Sequence, residues 1–97
     1  MKPIYTVTCL NMNNRGDIRD RRCWGYHYDK KALEDAVKGN AADLFEQGWY
    51  QVAVVEVILP GICPAAKTVS CWHFTGKRVK PIGIPEPLAK VSNFAMG

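Results

Sequence analysis

The chain has 97 residues, 47% hydrophobic and 23% charged, a balance that supports one globular domain and excludes an intrinsically disordered chain. Its formal charge of +4 favours anionic partners but falls short of what identifies a nucleic-acid binder. The longest apolar stretch, Val52 to Leu59, is too short to span a bilayer and carries Glu56, and Met1-Lys2-Pro3 leads into an alternating segment with no secretory apolar core, so a cytoplasmic protein is expected.

Ile4 to Leu10 alternates β-formers and predicts a first strand. The turn-forming run Asn13-Asn14-Arg15-Gly16-Asp17 follows, and Arg21 to Tyr28 predicts a second strand in a hairpin with the first. Alternation there puts Arg22, Trp24, Tyr26 and Tyr28 on one face and Cys23, Gly25 and His27 on the other. Asp29 predicts a helix N-cap, because its carboxylate can accept from free first-turn amides, and Leu33, Ala36 and Val37 form an apolar stripe behind it. Gly39 ends that helix, Asn40 caps a second short one over Ala41 to Gln47, and Gly48 stops it; one helix bent at Gly39 is the alternative.

Trp49 to Leu59 predicts a strand with Tyr50, Val52, Val54 and Glu56 on one face and Ala53, Val55, Val57 and Leu59 on the other. Apolar residues on both faces imply a central position. Pro60-Gly61-Ile62-Cys63-Pro64 breaks it, Thr68 to Phe74 predicts a fourth strand, and Thr75-Gly76-Lys77 turns into a short fifth, Arg78 to Ile82. The reading is a single α+β domain over 1–82 and an extended tail over 83–97. The domain is a mostly antiparallel five-stranded sheet, order β-β-α-β-β-β, with one interrupted helix on one face. The opposite face is then solvated, paired in a homodimer or used for binding.

Cys9, Cys23, Cys63 and Cys71 show neither a CxxC pair nor zinc-ligand spacing, so buried thiols are expected, with no metal and no cofactor. Alternation puts His73 beside Cys71 and His27 beside Cys23, a placement open to Cys/His hydrolysis or a metal but common in ordinary sheets. No phosphate loop, dinucleotide fingerprint or nucleophile elbow occurs, so no catalytic residue is assigned and a non-enzymatic role is expected. Glu56 within an apolar strand reads as a half-exposed position, a partner for a cross-strand cation, or an acceptor for ligand donors such as ribose hydroxyls. Arg15, Arg19, Arg21 and Arg22 form one basic cluster and Lys77, Arg78 and Lys80 a second: two solvated rims, or one anion-facing rim if the fold joins them. Aromatic faces stack bases and arginines pair phosphates, which makes Arg22, Trp24, Tyr26, Trp72 and Arg78, with Glu56, candidate ligand-binding residues; the aromatic–arginine set equally suits a protein interface.

The ordered segments Arg22-Cys23-Trp24-Gly25-Tyr26, Asn40-Ala41-Ala42-Asp43-Leu44-Phe45-Glu46-Gln47-Gly48, Tyr50-Gln51-Val52-Ala53-Val54-Val55-Glu56 and Trp72-His73-Phe74-Thr75-Gly76 resemble a family of small bacteriophage and prophage accessory proteins. The resemblance covers most of residues 4–82. It implies a protein of the host bacterial cytoplasm that counters antiviral defence, by sequestering a small anionic nucleotide signal or, alternatively, by gripping a host defence protein such as a CRISPR effector. It also implies Arg22, Tyr50 and Glu56 as first candidates for one site. The chain departs from the family at Pro64-Ala65-Ala66, where acidic residues are common.

Overall fold

A computed structural model describes residues 3–13, 15, 17–59, 66–76 and 78–84. It contains β1 (Ile4–Met12), β2 (Ile18–His27), α1 (Lys30–Lys38), β3 (Val52–Ile58), β4 (Ala66–Phe74) and β5 (Val79–Ile82), with 3-10 turns at Ala41–Asp43 and Glu46–Gly48. The strands form one sheet in the order β2-β1-β3-β4-β5, antiparallel at every pairing. This is the expected α+β architecture, and β3, apolar on both faces, takes its centre. The segments 60–65 and 85–97, which hold the expected strand break, Cys63 and most of the expected tail, lie outside the described residues.

Local chemistry sets the elements. Asn13 organises the first hairpin: its side chain accepts from the Arg15 and Asp17 amides at 2.9 Å each. Asp29 caps α1 as expected, accepting from the Lys31 amide at 3.0 Å, and Gly39 closes the helix by donating to Asp35. The expected second helix is replaced by two 3-10 turns, with Asn40, Ala42, Asp43, Glu46 and Gln47 all at positive φ. Ala, Glu and Gln are good helix formers, but a straight helix does not carry Leu44 and Phe45 into the core. The left-handed residues re-aim the chain, and both side chains end fully or nearly fully buried.

One face of the sheet packs on α1 through Val7, Cys9, Leu33, Val37, Phe45, Ala53, Val55 and Trp72. Phe45 is fully buried and stacks on Phe74, centroids 4.9 Å apart. The opposite face is not bare, contrary to expectation. Leu10, Val54, Cys71, Thr6, Thr8, Glu56 and Thr68 on that side are all buried. A strand that is apolar on both faces needs both shielded. The case for a homodimer through a bare face therefore loses its premise.

Burial fixes the thiol chemistry. It pushes the Cys9 thiol up to about 12, and the Cys71 thiol up to about 11 with a smaller contribution from the Glu56 carboxylate. An unfolded thiol ionises near pH 8.5. The folded form therefore holds protons that the unfolded form gives up, and stability that is complete below the unfolded value is lost as pH climbs toward the folded one. Urea midpoints should fall more steeply between pH 8 and 10.5 for the native sequence than for Cys9→Ala. Equal slopes would show that Cys9 ionises freely in the fold.

Candidate functional site

Two concave sites flank the segment that leaves α1. The larger is an open cleft of about 660 Å³ between the end of the helix and the β4–β5 hairpin, lined by Lys38, Gly39, Asn40, Phe74, Gly76, Arg78, Val79 and Lys80. Three cations line it, and no carboxylate does among the described residues. Each cation has its own placement. Lys38 closes the last turn of α1 and its ammonium lies 5.3 Å from the centroid of Trp72. Arg78 is held at the hairpin end, its carbonyl accepting from the Thr75 amide at 3.0 Å, and Gly76 (φ 92°) makes the turn. Lys80 pairs across the ladder with His73. Phe74 and Val79 add an apolar wall. Like-charged groups converging on a cleft repel one another, and an anion relieves that repulsion.

The second site is smaller, about 210 Å³, and apolar. It lies between β2 and α1 and is lined by Val7, Trp24, Gly25, Tyr26, Leu33, Ala36, Ala41, Ala42 and Leu44. At its edge Arg22 sits 4.1 Å over the Trp24 ring and 3.6 Å from Glu46. Beside it Asp20 ties the following loop to the strand, accepting from Trp49 Nε1 at 3.3 Å and the Tyr50 hydroxyl at 3.2 Å. The Trp49 hydrogen bond, more than that from Tyr50, lowers the Asp20 pKa, while burial and then the Asp20 contact raise that of Tyr50.

The sequence-derived candidates divide among these places. Arg22, Trp24 and Tyr26 meet at the apolar cleft. They do not share one face as alternation requires. The ladder pairs Val7 with Gly25 and Thr8 with Cys23, so Trp24 is the extra residue of a bulge. The bulge turns Tyr26 toward the Thr6 side, leaves it 61% exposed, and parts Cys23 from His27. His27 instead accepts from the Asp29 amide through Nδ1 at 2.8 Å.

Tyr50 and Trp72 are core residues, 4% and 6% exposed. Trp72 Nε1 donates to Ser70 Oγ at 3.1 Å, and Ser70 Oγ donates to Glu34 at 2.7 Å. Tyr50 precedes β3 and packs on the helix side, whereas Glu56 is fully buried and partnered on the other side, between Thr6 and Thr68. The expected grouping of Tyr50 with Glu56 therefore does not form, nor does the expectation of a half-exposed Glu56 hold. Arg78 alone of the candidates lines the cationic cleft.

The two basic clusters lie on opposite edges of the sheet, β2 and β5, four strand spacings or roughly 19 Å apart, so they make two rims and not one. Sequence reasoning missed Lys38 and Phe74 as site residues. The available signal was a lysine in the last turn before Gly39, on a helix that must cross toward the hairpin. Among the described residues no helix is long and apolar enough to cross a membrane, and no group of three His, Cys, Asp or Glu side chains is placed to hold a metal.

Comparisons with protein families, with curated proteins and with solved structures found no match. The site is therefore read from its own chemistry.

The segment between the clefts is strained, and the strain can be measured. Ala42 sits at φ 53°, ψ 26°, where a Cβ costs about 1–2 kcal/mol. Ala42→Gly should stabilise the protein by about 0.5–1 kcal/mol net of the added chain entropy, raising Tm by a few degrees. Ala36→Gly, in the right-handed α1, should cost about 1 kcal/mol in the same assay. Destabilisation by both would remove the assignment of strain to Ala42.

Proposed function

We propose that the chain is a non-enzymatic binding protein that sequesters a small, phosphate-bearing nucleotide in the cleft formed by Lys38, Arg78 and Lys80. The carrying observation is the convergence of these three cations on one open concavity without a lining carboxylate among the described residues. Arginine supplies a planar fork for phosphate and lysine a mobile point charge. The partly exposed ring of Phe74 offers a surface for a base. Trp72 lies under Lys38 as its support. This reading retains Arg78 from the sequence-derived set and leaves Trp72 and Tyr50 to the core.

In the setting implied by the family resemblance, such a protein removes a nucleotide signal from the host cytoplasm and so blunts antiviral defence. A sink acts by mass, so it returns its ligand unchanged. The test is a thermal-shift screen against linear and cyclic nucleotides, with the recovered ligand identified by mass spectrometry. Ligand at a hundredfold excess over Kd adds about 2.7 kcal/mol, which for a domain this small moves Tm by about 10 °C or more. No shift with any nucleotide overturns the reading, and recovery of a cleaved nucleotide makes the protein an enzyme instead.

A further inference from the structure

We infer that the open edge of β2 docks an acidic, extended segment of a partner protein by strand addition. The sheet has two ends, and they differ. β5 is four residues long and contains Pro81, which has no amide to offer, so that edge is short and blunted. β2 is ten residues long, has no proline and pairs only with β1. Its outer backbone groups are a template for another strand.

The charge along β2 selects the occupant. Arg19, Arg21 and Arg22 lie within it, and the one intervening acid, Asp20, already accepts from Trp49 and Tyr50. Arg21 Nε is buried without a hydrogen-bond partner. A second copy pairing antiparallel through this run would bring arginines against arginines, which disfavours self-association. A strand bearing carboxylates would meet them with opposite charge. The bulge at Trp24 limits the straight ladder to its basic half. Beyond the bulge, Tyr26 and Tyr28 meet edge to face at 5.9 Å, both 61% exposed, and give the incoming chain an aromatic anchor. Nucleic acid is a poorer fit, because Arg22 already covers the Trp24 ring and a phosphate backbone makes no use of an open ladder.

The probe is a labelled eight-residue peptide of alternating Glu and Val, titrated against the full chain with hydrogen exchange as the second readout. Binding should weaken at least tenfold between 50 and 300 mM salt, and amides in 18–27 should gain protection. Arg19→Glu with Arg21→Glu should weaken it at least tenfold while leaving nucleotide-induced thermal shifts intact, which separates this edge from the cationic cleft. A Lys–Val peptide of the same length should not bind. The inference is overturned by failure of the acidic peptide, by equal binding of the basic one, by tighter binding of an oligothymidylate, by protection confined to 79–82, or by concentration-dependent protection of β2 in the protein alone.

Discussion

Replacing the three cleft cations together, as Lys38→Gln, Arg78→Glu and Lys80→Glu, should reduce nucleotide affinity by at least a thousandfold in an otherwise folded protein. Hydrogen bonds to charged groups contribute about 1.5–3 kcal/mol each, so the loss of one should cost about tenfold to a hundredfold and the loss of all three should remove measurable binding. Glutamine is the choice at 38 because an acid there would oppose the helix dipole. Even so, loss of the ammonium over Trp72 costs about 0.5–1 kcal/mol. Arg78 and Lys80 are exposed, and their replacement should stay within about 0.5 kcal/mol. The control is Arg22→Glu, on the far edge of the sheet, which should bind as the native chain does. Isothermal titration decides it. Retained affinity in the triple variant, or loss in Arg22→Glu, would move the site to the β2 side.

Phe45→Ala should be the most damaging single core substitution tested. The ring is fully buried, stacks on Phe74 and anchors the two 3-10 turns to the sheet. Truncation of a buried phenylalanine costs about 3–5 kcal/mol. A domain of this size has about 5–15 kcal/mol in total. Urea unfolding should show the loss directly, with Tm down by roughly 15–30 °C. Phe45→Leu, closer in volume, should cost less, about 1–2 kcal/mol. Because Phe74 rests on Phe45 and lines the cationic cleft, the leucine variant should also weaken nucleotide binding. A cost below about 1 kcal/mol for the alanine variant would mean that Phe45 does not organise the core.

Most of the fold was legible because each element carried its own signal. Alternation gave the strands, Asp29 and Gly39 bracketed α1, and the two-faced apolar pattern of Val52 to Ile58 placed β3 at the centre. What escaped had no local signal. One extra residue in β2 reverses the facing of everything after it, and only Gly25, at φ 147°, hints at the bulge. Ala41 to Gln47 has helical composition, and only the demand to bury Leu44 and Phe45 together breaks it into left-handed turns. The site was half legible. Arg78 and Lys80 stood out as cations without acidic neighbours, but Lys38 joins them only through the path of α1 across the sheet.

The pairing of β1 with β3 has a kinetic consequence. β1 and β2 are neighbours in the chain, and so are β3, β4 and β5, whereas Leu10 meets Val52 only after the intervening hairpin, helix and turns have been traversed. Two locally encoded halves thus meet along a seam through the middle of the sheet. Closing that long loop costs entropy before the seam contacts repay it, so the late event in assembly is the joining of β1 to β3 and the rate-limiting barrier lies there.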